Sequence, residues 1–266
     1  MSEIKRKHSK ISIKLHESLL CIQIYHVKIL FSIFIIAAFS FLRILQMKQI
    51  YENNYGIQLS RADCFVILNT LLTKGIVMLP AFLYILTTVL RYMDNPQFVL
   101  RVESRLAVWT NKIVRIIIFS LLVAVGEALC IIFVSLCLID GNINWGENGS
   151  LFWALTGETL SGISFIHVAV MYAVMSFFFY LFSGILFAFG SLIFRNLIIG
   201  WIIIGLCITE YYIVNPIIFY KRTSIYYERW FQLDFYNDIG IMFIIILLLS
   251  IVGAFLSKRK EFWYGR

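Results

Sequence analysis

The sequence predicts an all-α integral membrane protein with six transmembrane helices and both termini on the cytoplasmic side. Of its 266 residues, 61% are hydrophobic and only 14% are charged, whereas soluble domains are about half apolar and about a quarter charged. The apolar residues also gather in runs of about 20, the length that a helix needs to cross a bilayer. No charged stretch is long enough for a separate soluble domain, so the chain is interpreted as one transmembrane domain.

Six apolar runs are the candidate spans, and they form the bundle predicted for residues 29–256. They cover residues 29–45, 65–90, 113–139, 164–194, 197–214 and 239–256. A basic and partly amphipathic segment, residues 1–28, precedes the bundle. A basic tail, residues 257–266, follows it.

Lysine and arginine are distributed unevenly between the two sides of the predicted bundle. With the N-terminus inside, the cytoplasmic segments carry 16 Lys and Arg and the outer segments carry five. This asymmetry is the positive-inside signal, and it places both termini in the cytoplasm. The net charge of +8 is therefore attributed to orientation and to contact with anionic lipid headgroups. No nucleic-acid partner is expected.

The N-terminal segment carries an amphipathic pattern. Apolar residues recur there at helical spacing, with charged residues on another face: Ile11, Leu15, Leu19 and Ile22 against Lys10, Lys14 and Glu17. This pattern favours an interfacial helix that leads into the first span. A disordered basic tail is the alternative interpretation.

Residues 91–115 form a charged island between the second and third spans. Asn95, or Asp94 before it, is a suitable N-cap, and Pro96 suits the first helical position. A helix can continue from there to Trp109. Phe98, Val102 and Trp109 then gather on one face, and Arg101, Ser104 and Arg105 on another. The simpler interpretation is a helix on the inner leaflet with Trp109 at the boundary, and the sharper one is a docking face for a cytoplasmic partner.

The two long outer segments differ in composition. Residues 140–163 contain no Lys or Arg, whereas residues 215–238 contain eight aromatic side chains. Aromatic residues at this density are typical of the headgroup region. We therefore expect the second segment, with Tyr226, Tyr227, Trp230 and Phe231, to lie on or dip into the outer interface and to form an outer gate.

Two ionisable residues lie well inside predicted spans, Lys74 in the second and Glu127 in the third. Counted from the outer ends of their spans, their depths differ by only about 4–5 Å at the helical rise per residue. Charges inside a membrane usually face protein, water or each other. We expect an ion pair or a shared polar patch that faces the bundle interior. In the alternative, Lys74 snorkels outward and Glu127 is protonated or bonded to a hydroxyl group.

The sequence contains no recognisable catalytic, metal or nucleotide site. The five cysteines are scattered and odd in number, so they do not indicate a disulfide framework or a cysteine metal site. Glu127 and His167 stand alone, whereas an intramembrane enzyme needs clustered His and carboxylate groups. No G-x-x-x-x-G-K-[ST] phosphate loop occurs. We therefore expect no enzymatic activity and no cofactor in this chain.

The order of these parts resembles the permease subunit of an ABC-2-type (type V exporter-like) ABC transporter. The amphipathic segment, the coupling-helix position between the second and third spans and the aromatic outer segment occur in the same order as in that family. The string of Asn95-Pro96, Arg101, Ser104-Arg105, Trp109 and Lys112 is similar to the coupling region of small bacterial permeases. The resemblance covers most of the chain as architecture and about 20 residues as motif.

The resemblance implies a function without chemistry in this chain. A separate ATPase subunit, carrying the ATP and Mg²⁺, would move the coupling helix and switch the bundle between inward and outward states. A second permease, identical or homologous, would complete the pore in a bacterial cell membrane. The expected cargo is amphiphilic: an antimicrobial peptide such as a bacteriocin, a lipid-like molecule or a drug. The alternatives are a non-transporting sensor or assembly factor and, less favoured, an intramembrane enzyme or a secondary transporter.

Overall fold

The computed structural model describes residues 30–70, 73–93, 104–213, 216, 218–232 and 234–259. Across these ranges the chain is built from helices, and the only extended pairing is an isolated bridge between Gln58 and Ser150. The protein is an all-α membrane protein. The predicted interfacial helix at Ile11–Ile22 and the last part of the basic tail lie outside the described residues.

Ten helical elements follow one another in the described chain. They are α1 (Leu30–Asn54), α2 (Arg61–Leu68), α3 (a π-helical turn at Lys74–Met78 that continues as Leu79–Met93), α4 (Arg105–Leu138), α5 (Leu151–Thr156), α6 (Phe165–Gly190), α7 (Asn196–Tyr212), α8 (Phe219–Thr223), α9 (Arg229–Gln232) and α10 (Phe235–Arg259).

Four of these helices, α1, α4, α6 and α10, are long and apolar enough to cross a membrane. They correspond to the first, third, fourth and sixth predicted spans. The fifth predicted span corresponds to α7, which is apolar but has only 17 residues. Such a helix is about 26 Å long, slightly less than the hydrocarbon core of a typical bilayer.

The second predicted span, residues 65–90, is not one helix. It is divided into α2 and α3, with a turn at Asn69 and a bend at Thr70 between them, and residues 71–72 lie outside the described residues. Thr70 Oγ1 donates to the carbonyl oxygen of Ile67 and lies 2.8 Å from Thr73 Oγ1. Hydroxyl groups that bond to the nearby backbone compete with continuous helix, so this polar stretch is where the span is interrupted.

Helix α6 is the centre of the bundle, because it packs against α2, α4, α7 and α10. Half of the residues in its most apolar stretch are buried in protein, compared with 17% of those in the most apolar stretch of α10. Small residues permit this close packing. A Cβ atom on Gly184 would lie 2.6 Å from Ile116 Cγ2 of α4, so the two helices meet where α6 has no side chain.

The buried apolar residues form two main clusters at opposite ends of the bundle. The cluster at the Trp109 end includes Phe82, Ile116 and Phe179. The cluster at the Trp145 end is rich in aromatic residues from the segments that connect the long helices. The two ends are therefore packed separately, and polar side chains of α3, α4 and α6 lie between them.

Trp109 attaches the beginning of α4 to α10. Its indole Nε1 donates to the carbonyl oxygen of Ser250 at 2.9 Å, and its ring covers Gly253, where a Cβ atom would come within 2.1 Å of Trp109 Cζ2. Only 3% of Trp109 is exposed. The ring therefore fills a space inside the bundle that only glycine leaves open, and its position at the bilayer boundary stays a prediction.

We predict that Gly253→Val destabilises the protein by about 1–3 kcal/mol, because overpacking displaces the Trp109 ring from α10. The matched control is Gly240→Val, on the same helix, where an added Cβ atom meets nothing within 4 Å. Thermal unfolding in detergent, followed by circular dichroism, measures both. Equal melting temperatures for the two variants would contradict this description of the α4–α10 contact.

Candidate functional site

The interruption between α2 and α3 places Lys74 at the first turn of α3, inside the bundle. Lys74 is 1% exposed. Its Nζ donates to Ser176 Oγ of α6 at 2.7 Å, and it lies 4.8 Å from the ring centre of Tyr172. A desolvated ammonium over an aromatic face gains a further electrostatic attraction. The lysine is therefore held by α6 and does not snorkel outward.

Glu127 lies on α4 and faces the same side of α6 as Lys74 does. It is 2% exposed. Its carboxylate accepts hydrogen bonds from the hydroxyl groups of Tyr172 and Tyr180, the latter at 2.9 Å to Oε2. A buried carboxylate without donors would be strongly destabilising, and two phenolic donors offset much of that penalty.

Lys74, Glu127, Tyr172, Ser176 and Tyr180 form what we name the polar cluster. The three α6 residues are spaced at i, i+4 and i+8, so they lie on one face of that helix. Lys74 and Glu127 therefore share a polar patch, which is one of the two arrangements that the sequence predicts. They do not form a direct ion pair, because each charge is bonded to hydroxyl groups of α6 instead.

Asn69, in the interruption, connects this region to the segment before α10. Its Oδ1 accepts a hydrogen bond from the backbone N–H of Ile225 at 2.9 Å. Asn69 is 2% exposed, so the contact lies inside the protein. A displacement of the segment around Ile225 would therefore act directly on the chain that leads to Lys74.

The predicted coupling residues are only partly described. Asn95, Pro96 and Arg101 lie outside the described residues. Ser104 caps α4, with its Oγ accepting from the Ala107 N–H at 3.2 Å. Arg105 lies in the first turn and donates to the carbonyl oxygen of Lys258 at 3.4 Å.

The predicted boundary between a coupling helix ending at Trp109 and a third span beginning at residue 113 is wrong. Residues from Arg105 to Leu138 form one helix. Its sequence contains no proline, and the cap at Ser104 gives it a defined start. Arg105, Trp109 and Glu127 thus belong to a single rigid element.

The aromatic outer segment was expected at the membrane interface, but two of its four named residues are buried in protein. Tyr227 is 6% and Trp230 is 2% exposed. Tyr226 is half-buried, and Phe231, 38% exposed, packs its ring 5.3 Å from that of Phe152.

The reason for this burial is Asp63 of α2. Its carboxylate accepts hydrogen bonds from the Trp145 indole at 2.8 Å and from the Tyr227 hydroxyl at 2.9 Å, as well as from Ser60. Trp230 packs edge-on against Trp145. Burial, together with the nearby Asp63 charge, raises the pKa of Tyr227 well above its ordinary value, so the phenol stays a neutral donor.

Asp238 of α10 completes the same end of the bundle. It pairs with Arg222 at 2.7 Å and with Arg229. Arg229 is 3% exposed and lies 4.6 Å from the ring centre of Phe235. Burial lowers the pKa of Arg229, and the charge of Asp238 opposes that shift.

Sequence reasoning identified Lys74 and Glu127 but missed Tyr172, Ser176, Tyr180 and Asp63. The three α6 residues were detectable as hydroxyl-bearing side chains at helical spacing in an otherwise apolar span. Asp63 carried no such signal, because it lies in the connection before the second span. In the part of the chain that the structure describes, no group of three or more His, Cys, Asp or Glu could hold a metal ion.

No protein-family model, curated protein or solved structure matches the chain.

We predict that Tyr180→Phe destabilises the protein by about 1.5–3 kcal/mol, since it removes a donor to a buried carboxylate without changing the shape of the ring. Tyr236→Phe, on an exposed position of α10, is the control and should change stability by less than about 0.5 kcal/mol. Thermal unfolding in detergent compares the two. If both variants melt like the unaltered protein, Glu127 does not depend on its tyrosine donors.

We predict that Asp238→Asn destabilises the protein by about 3–5 kcal/mol, because it leaves the buried Arg229 guanidinium without its charged partner. Asp140→Asn, at an exposed position, controls for the loss of one carboxylate charge. Limited proteolysis of the native fold reports the effect, with faster cleavage between residues 213 and 235 in Asp238→Asn alone. Unchanged cleavage would show that the arginines hold this segment without Asp238.

Proposed function

We propose that the chain is the membrane-spanning permease subunit of an ATP-driven exporter in a bacterial cell membrane. In this proposal six segments cross the bilayer and both termini are cytoplasmic, with α2 and α3 together forming the second crossing. A separate ATPase and a second permease complete the transporter. The cargo is amphiphilic: an antimicrobial peptide, a lipid-like molecule or a drug.

The observation that carries the transport part of the proposal is the helix interruption at Asn69 and Thr70, one turn before Lys74, together with Glu127 on the neighbouring helix. Non-helical backbone at membrane depth is tolerated only where protein buries it or where it lines a cavity. Ionisable residues at such positions commonly mark transport pathways. A bundle that served only as an anchor would need neither the interruption nor two buried charges.

The coupling part of the proposal is supported by the attachment of α4. Ser104 and Arg105 are exposed at the beginning of that helix, and Trp109, one turn further on, is bonded to α10. A force applied to the segment before Ser104 would therefore move α4 and α10 together. Glu127 lies on the same α4 helix, so the movement would reach the polar cluster.

The proposed partners are supported by a motif that the sequence lacks and by a surface that the structure exposes. The chain has no phosphate-binding loop, so ATP would be hydrolysed on another subunit. Only 17% of the residues in the most apolar stretch of α10 are buried in protein. Its remaining surface is available to lipid and to a second permease, which a chain of this size needs in order to enclose a pore.

A non-transporting membrane protein, such as a sensor or assembly factor, is the second candidate. It is favoured by the polar cluster, in which both charges already have hydrogen-bond partners within the chain. Purification of the protein from its native membrane separates the two candidates. Co-purification of an ATPase supports the permease, and its absence under mild detergent supports the second candidate.

We predict that the charge reversal Arg101→Glu with Arg105→Glu lowers the amount of co-purifying ATPase by about tenfold or more, as expected when charges at an interface are reversed. Arg195→Glu, at an exposed position in the connection between α6 and α7, is the control. Membrane insertion of all variants is checked by their yield in the membrane fraction. ATPase binding that survives the double reversal would remove the coupling role of this segment.

A further inference from the structure

A small apolar pocket lies between α1, α3 and α4. Its volume is about 110 Å³. Ile33 and Leu122 line it and are 44% and 51% exposed, whereas Ile85 and Phe119 line it and are 3% and 4% exposed. The pocket therefore begins at the surface of the bundle that faces the bilayer and extends to its interior.

Among the described residues that line this pocket, Glu127 is the one with a charged side chain. Two tyrosine hydroxyl groups bond to its carboxylate, but an ionised carboxylate offers about four lone-pair sites. Glu127 therefore keeps the capacity to accept at least one more hydrogen bond. A pocket whose described lining is apolar except for the Glu127 side chain is complementary to a molecule with an apolar chain and a polar donor.

The charges of the polar cluster decide which donor fits. Lys74 and Glu127 carry opposite formal charges and lie against the same face of α6, so the cluster is balanced. A ligand ammonium would add an uncompensated positive charge in the membrane interior, and a ligand carboxylate would be repelled by Glu127. A hydroxyl group donates a hydrogen bond and adds no charge.

We propose that this pocket binds an uncharged amphiphile from the bilayer, with its hydroxyl head group donating to Glu127 and its alkyl chain passing between Ile33 and Leu122. The volume is consistent with such an occupant, since an apolar cavity of about 150 Å³ binds benzene. The part of the chain nearest the head group fills the pocket, and the rest extends into the lipid.

An uncharged amphiphile in this pocket would be the substrate class of the proposed exporter, and this part of the inference rests on the proposed function. Binding itself needs neither an ATPase nor a second permease, so it is measured on the isolated chain. If binding fails while an ATPase co-purifies, the site is wrong and the exporter stands. If binding succeeds and no ATPase is found, the site belongs to a membrane protein that does not transport.

The experiment uses the full chain in phosphatidylcholine nanodiscs and hexadecanol that carries a diazirine near its hydroxyl end. After illumination, mass spectrometry locates the labelled peptides. We expect labelling within residues 119–130 that is lost when unlabelled hexadecanol is in excess. Hexadecylamine and palmitate at the same concentration should leave the labelling unchanged, because neither head group suits the balanced cluster.

Gly126 provides the variant that tests the pocket itself. It lines the pocket, and an added Cβ atom there meets nothing within 4 Å, so Gly126→Leu places a side chain in the empty space. The matched control is Gly205→Leu on α7, which is also unobstructed. We expect labelling to be lost in Gly126→Leu and kept in Gly205→Leu, with both proteins monodisperse.

Two results would overturn the proposal. The first is labelling that is spread over all lipid-facing helices and is unchanged in Gly126→Leu, which would indicate ordinary lipid contact. Equal competition by hexadecylamine or palmitate in the unaltered protein would show that Glu127 does not select an uncharged hydroxyl group. The competition result stands even if Gly126→Leu does not fold.

Discussion

The structure depends on one constraint: a charged group inside a membrane protein needs a partner, and both Lys74 and Glu127 find theirs on α6. Ser176 accepts from the lysine, and Tyr172 and Tyr180 donate to the carboxylate. Because α3 and α4 each contribute one charge, the same three side chains of α6 fix the positions of two neighbouring helices. The central place of α6 in the bundle follows from this as much as from its apolar packing.

Buried polar groups at the two ends of the bundle are also paired, with different residues at each end. At one end Asp63 and Asp238 gather indole, phenol and guanidinium donors from segments far apart in the sequence. At the other end Trp109 bonds to the backbone of α10 over a glycine. Between them the interrupted second segment lies next to the polar cluster. A movement of α4 would therefore act on the interruption through the polar cluster.

The sequence predicts the membrane class and most of the helices because hydropathy is a property of each segment alone. It also predicts a polar patch shared by Lys74 and Glu127, because depth in a bilayer can be counted along each helix. For Tyr172, Ser176 and Tyr180 it gives only the helical spacing of their hydroxyl groups, and not the direction in which that face of α6 points. Helix α6 is apolar all round, so periodicity does not show which side faces protein. The burial of Tyr227 and Trp230 was missed for a related reason, since an aromatic segment can serve the interface or pack on a buried carboxylate such as Asp63.

The most direct test of the central claim is solid-state NMR of the protein in lipid, with ¹⁵N at lysine Nζ and ¹³C in the serine side chains. Dipolar recoupling measures the proximity of the Lys74 nitrogen to Ser176 Cβ, and Ser176→Ala identifies the signal. The hydrogen bond of 2.7 Å between Lys74 Nζ and Ser176 Oγ predicts a strong coupling that Ser176→Ala abolishes. A Lys74 nitrogen that shows no coupling to Ser176 would contradict the account.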